Sequence, residues 1–154
     1  MIEKYKQLQL LHRALCGGVA LFMVFASFLK LKGMLPFAGT DQVEIFSGVG
    51  VLVFFATAIA SRMMYSNQLQ TIDQSLPAEQ KLDAYRGAFI IRISLLEGGT
   101  IINLLMFMLK ASWLSLGVCF LGLVLMLISR PDVVTLREAL HLSADEQAEL
   151  SGAL

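Results

Sequence analysis

Hydrophobic and polar positions along this chain fall into long blocks and do not alternate. Four apolar runs, Ala14–Leu31, Val43–Met64, Gly87–Leu109 and Ala111–Ser129, are separated by short polar stretches. Each run has between 18 and 23 residues. At about 1.5 Å per residue that is the length needed to cross a hydrocarbon core of about 30 Å. Backbone amides in lipid must be satisfied internally, which leaves helices or closed barrels. Barrel strands would show an alternating pattern, and these runs do not. The pattern predicts an all-α membrane protein, a four-transmembrane-helix bundle.

The connections fit that division. Gly33, Pro36 and Gly39 break the chain after the first span, and Asp41 with Glu44 forms an N-cap pair for the second. The third and fourth spans meet around Lys110, so they form an antiparallel hairpin. The longer connection, Tyr65–Arg86, contains Pro77, which suits a first helical turn. Ala78, Leu82 and Tyr85 follow it at helical spacing, and they predict an extension of the third span into water. Arg130-Pro131 ends the fourth span. Beyond it Val133, Leu136 and Leu140 make one apolar stripe, and Ser143 with Glu146 a capping box. Residues 1–129 thus read as one transmembrane domain, and 130–154 as a short amphipathic, acidic helical tail that projects into the cytoplasm.

Composition agrees with the pattern. The 154 residues are 56% hydrophobic and only 16% charged, where soluble domains carry about a quarter charged residues. Formal net charge is zero, which removes the electrostatic basis for binding nucleic acid. The distribution of charge is more telling than its sum. Nine lysines and arginines (Lys4, Lys6, Arg13, Arg62, Lys81, Arg86, Arg92, Arg130 and Arg137) fall on one side of the four spans, and three (Lys30, Lys32 and Lys110) on the other. By the positive-inside rule both termini are cytoplasmic, which in a bacterium means a multi-pass protein of the inner membrane. Lys30 and Lys32 also stand where a signal peptide would need small residues for cleavage.

The first and third spans resemble each other. Leu15-Cys16-Gly17-Gly18 aligns with Leu96-Glu97-Gly98-Gly99, and each span ends near a lysine. Duplication of a helical hairpin and chance similarity of two glycine-containing apolar helices explain this equally well. Each span also carries a small-xxx-small pair, Ala14/Gly18, Ala56/Ala60, Ser94/Gly98 and Ser115/Cys119, of the kind that lets helices approach closely in lipid.

Glu97 is the sharpest feature. It lies ten residues into its span, about 15 Å deep and so near the midplane. An ionised carboxylate there costs at least about 2.5–3.5 kcal/mol, and such residues usually face a bundle interior or a wet cavity. Glu97 is therefore a candidate proton or ion site, or, carrying its proton, a neutral hydrogen-bond donor between helices. Arg92 is not its partner. Five residues of helix turn the side chains about 140° apart, whereas pairs meet at three or four. Thr100, or Thr57 from the second span at similar depth, is the expected partner. Arg92 shares its face with Gly99 and Asn103, and Arg92 and Asn103 are candidate interfacial or lipid contacts.

Other chemistry is absent from the sequence. Cys16 and Cys119 lie singly in apolar runs and read as packing residues. His12 and His141 lack further ligands at metal-binding spacing. No nucleophile–base or nucleotide-binding signature occurs. Neither enzymatic activity nor a cofactor is expected.

The run Arg92-Ile-Ser-Leu-Leu-Glu97-Gly98, the Arg130-Pro131 break and the tail Leu140-His-Leu-Ser143-Ala-Asp-Glu146 resemble small uncharacterised bacterial four-transmembrane-helix proteins. That resemblance implies a fold and no activity. A fainter one is to the proteolipid c subunits of rotary ATPases, glycine-rich hairpins with one proton-carrying carboxylate in midmembrane. Glu97 alone matches that role, but it lies in the first helix of its hairpin where the proteolipid carboxylate lies in the second. The cytoplasmic loop is also longer here. The expectation is a non-catalytic membrane subunit, homo-oligomeric or part of a membrane-protein complex, with Glu97 coupling ions. A scaffold in which Glu97 is neutral glue, or a small oligomeric transporter, are the alternatives.

Overall fold

A computed structural model describes residues 2–35, 40–110, 112–131 and 136. The described residues form four helices: α1 (Ile2–Leu31), α2 (Thr40–Gln70), α3 (Ala78–Lys110) and α4 (Trp113–Ile128). No strand occurs among the described residues.

All three long helices outrun their apolar segments. α1 has 30 residues, so it is about 45 Å long and carries its polar N-terminal turns as continuous helix. α3 starts at Ala78, where the carbonyl of Pro77 accepts from the N–H groups of Gln80 and Lys81, as the proline predicted. α2 likewise continues to Gln70, so the connection expected over Tyr65–Arg86 shrinks to residues 71–77. The reason is local: nothing in Tyr65–Gln70 breaks a helix, and Asp73 supplies the stop. Its carboxylate accepts from the backbone N–H of Ser75 at 2.8 Å and from its hydroxyl at 2.7 Å, a turn that competes with helix. α1 ends in a different way. Gly33 takes a positive φ of 68°, Met34 N–H reaches back to Leu29 and Gly33 N–H to Lys30, which satisfies the last carbonyls.

α3 is the hub. It packs along α2 and α4 and also touches α1, whereas α1 scarcely meets α2. A duplicated hairpin would repeat the α3–α4 packing between α1 and α2, and it does not. One aligned glycine pair differs too: Gly99 lies against Thr57 of α2 while Gly18 faces open space, although Gly17 and Gly98 are alike in facing open space.

α1, α2 and α3 are long and apolar enough to cross a membrane; α4, with 16 residues, is a shorter apolar helix of about 24 Å. Much apolar surface points outward. Leu21, Leu52, Ile59, Leu109 and Phe120 are all at least 60% exposed, an arrangement that suits a lipid surround and not water. The tail lies outside the described residues, as do the side chains of the Asp41/Glu44 cap pair. The exceptions are Arg130, Pro131 and Leu136, the last fully buried against the cluster built from Tyr5, Leu8, Tyr85 and Phe89.

Candidate functional site

The polar groups fall into three places. The first is the end of the bundle that holds the start of α1, where four helices meet. α1 buries Tyr5, Leu8, His12, Cys16 and Val19, spaced three or four apart, so one stripe faces the bundle. The Tyr5 hydroxyl donates to the carbonyl of Pro131 at 3.0 Å and accepts from Gln9 at 2.9 Å. His12 Nε2 lies 2.8 Å from the carbonyl of Met126, and its ring meets Phe89 edge-on at 5.8 Å. Arg92 donates to the hydroxyl of Ser129 at 3.1 Å, and its guanidinium carbon lies 4.7 Å from the centre of the Tyr65 ring. One arginine thereby ties α2 to α4 across α3. The side chain proposed from sequence as an interfacial or lipid contact spends its hydrogen bond inside the bundle.

The second is a polar core between α2, α3 and α4. Asn103, grouped with Arg92 in the sequence, is fully buried and not a lipid contact; its Nδ2 donates to the carbonyls of Gly50 at 2.8 Å and Gly99 at 3.0 Å. A side chain at Gly50 would displace this amide, because a Cβ there would stand 2.8 Å from Asn103 Oδ1. The Ser47 hydroxyl donates to that of Ser112 at 2.8 Å, which diverts Ser112 from capping α4. Cys119 Sγ lies 3.4 Å from the carbonyl of Thr100.

The third is Glu97, alone. It is half-buried on the side of α3 that faces Cys16 of α1. Neither a hydrogen bond nor an ion pair engages it among the described residues. It diverges from Arg92, as helical geometry requires. The expected threonine partners lie elsewhere. Thr57 donates to the carbonyl of Phe54 at 2.9 Å and packs against Gly99; Thr100 donates to the carbonyl of Leu96 at 2.8 Å and packs against Gly122. Each has its hydroxyl proton committed to its own helix. Three residues set Thr100 about 60° round α3 from Glu97, which turns it to α4.

Among the described residues no group of acidic, histidine or cysteine side chains could hold a metal ion. An open groove of about 740 Å³ between α1 and α4, lined by Met23, Phe28, Trp113 and Phe120 among others, is apolar and excludes Glu97. Lys30 stands at its rim, with Nζ 3.8 Å from the centre of the Trp113 ring. Such a groove suits an acyl chain and not a polar solute.

Compared with protein-family descriptions, curated proteins and solved structures, the chain matches none. Its chemistry therefore stands on geometry alone. The roles of His12, Ser47, Ser112 and Ser115 escape a sequence reading. The available signals are weak: small polar residues repeated at three-residue spacing in apolar runs, and a histidine one turn before Cys16 on the buried stripe.

Proposed function

We propose that the protein is a non-catalytic subunit of a membrane assembly, in which protonatable Glu97 is the working group, coupling ion movement at a contact with a neighbouring membrane helix. All four helices cross the bacterial inner membrane in this reading, α4 with local thinning or help from its flanking residues, and both termini are cytoplasmic. The observation that carries the reading is the position of Glu97. A carboxyl group at the depth this reading gives Glu97, only half-buried and without a partner among the described residues, is costly unless something outside the bundle meets it. A second copy of the chain is the simplest such partner.

The neutral-glue alternative has its own support. Gly17, Gly18 and Gly98 have open space where a Cβ would stand, and Ser94 beside them is exposed, so a helix could approach Glu97 closely. Of the four small-residue pairs only Ser115/Cys119 is buried within the bundle.

Glu97→Gln separates the two. It keeps the shape and the hydrogen bonds but removes the exchangeable proton. Ion coupling expects loss of function with assembly intact, read by native mass spectrometry of the detergent-solubilised protein. Glue expects near-silence, because an amide replaces a neutral acid. A fully functional Glu97→Gln variant ends the coupling reading.

A further inference from the structure

We infer that one water molecule is bound inside the bundle, bridging Asn103 Oδ1 of α3 and Ser115 Oγ of α4. Both residues are 0% exposed, and both of these atoms lack a hydrogen-bond partner among the described residues. Groups of this kind are rarely left orphaned, because a buried unsatisfied polar atom loses its hydration without replacement. The two atoms belong to one layer. α3 and α4 are antiparallel, and Cys119 Sγ sets their register by its contact with the Thr100 carbonyl. Moving one turn from that contact, back along α4 and forward along α3, arrives at Ser115 and Asn103 together.

Ser115 also departs from its neighbours. The hydroxyls of Thr57, Ser61 and Thr100 each bond back to a carbonyl three or four residues earlier. That of Ser115 does not, so it is directed between helices. The amide orientation of Asn103 is fixed independently, since Nδ2 faces two carbonyls and Oδ1, beside Gly50, is left as the open acceptor. The occupant needs to donate to an amide oxygen and to accept from or donate to a hydroxyl. Water does both, and two polar partners suffice to hold it. Two open oxygens are too few for a hard cation, which takes six or more ligands. Beside Oδ1 stands Gly50, which brings no side chain of its own into this layer.

The test is a double-mutant cycle on the full chain in detergent, with Ser115→Ala and Asn103→Leu, singly and together. A bridging water makes Ser115→Ala lower the thermal midpoint in the parent and leave it unchanged in the Asn103→Leu background. If the midpoint is unchanged or raised by Ser115→Ala in the parent, the site is dry and the inference fails. Should Asn103→Leu not fold, water-edited solid-state NMR on the parent and Ser115→Ala proteins decides. Transfer from water to the Asn103 side-chain amide should be strong in the parent and fall several-fold in Ser115→Ala. Equal transfer in both overturns the proposal, as does coupling in the cycle without any transfer, which would mark a direct Ser115–Asn103 bond.

Discussion

The ring of His12 donates through Nε2 to the main-chain oxygen of Met126, 2.8 Å away and 114 positions along the chain. A carbonyl can only accept, so the proton must sit on Nε2. This bond joins the first helix to the end of the last, at a carbonyl that also accepts from the Ser129 N–H at 3.1 Å. It explains why a lone histidine occupies the buried stripe of α1.

His12→Phe should keep much of the edge-on contact with Phe89 and lose the bond, costing about 0.5–1.5 kcal/mol. His12→Ala loses both and should cost about 1–3 kcal/mol, with the aromatic pair adding about 0.5–1.5. Thermal unfolding in detergent measures both. Equal stability of His12→Phe and the parent would show that the bond contributes nothing net.

The glycines divide into two classes with opposite expectations. A methyl at Gly99 meets Thr57, and one at Gly122 meets Thr100 and the Phe54 ring, so Gly99→Ala and Gly122→Ala should destabilise by about 1–3 kcal/mol through overpacking. Gly18 and Gly98 face open space, so alanine there should stabilise the isolated chain by up to about 1 kcal/mol through helix propensity. If Gly98→Ala leaves the chain stable but weakens assembly, the face beside Glu97 is a contact surface.

Hydrogen bonds from Ser75 hold the Asp73 carboxyl below the usual carboxylate range. Its folded value is the lower one, so the turn is supported at and above the unfolded value of about 3.9 and loses that support as pH falls further. Pepsin nicking of residues 71–77 should therefore accelerate below about pH 4 in the parent, beyond the enzyme's own pH profile. In Asp73→Asn that extra step should vanish. A step of equal size in both proteins would assign it to another group.

The proposed orientation is open to reporter fusions. A reporter active only in the cytoplasm should work after Leu154, and one active only outside should work near Gly39. Activity of the external reporter at the C-terminus would overturn the orientation and the proposal that all four helices cross.

Much of the architecture was legible in the sequence because lipid imposes a coarse length rule. Pro77 marked the start of α3, and counting residues separated Arg92 from Glu97. The polar halves of the helices were harder. Hydropathy registers the width of the hydrocarbon and is blind to helix that continues beyond it, so Tyr65–Gln70 looked like loop. Partners of buried polar residues were hidden for another reason. Asn103 and His12 bond to carbonyls of other helices, and every residue has a carbonyl. Such contacts depend on register between helices, which spacing within one helix does not encode. Thr100 misled in the opposite direction: its spacing from Glu97 allowed a contact, but its hydroxyl proton goes to the Leu96 carbonyl of its own helix.

The scant contact between α1 and α2 bears on the order of assembly. α1 and α2 are made before α3 and α4, yet the backbones of those two scarcely approach each other. The seat of α1 is built from Phe89, Ile93 and Met126, which are synthesised much later, and it is pinned by Met126 and Pro131 at the close of α4. Of these four helices the earliest made is therefore the one that must wait longest for its neighbours. During that wait its buried stripe, His12 included, is on offer to whatever else lies alongside.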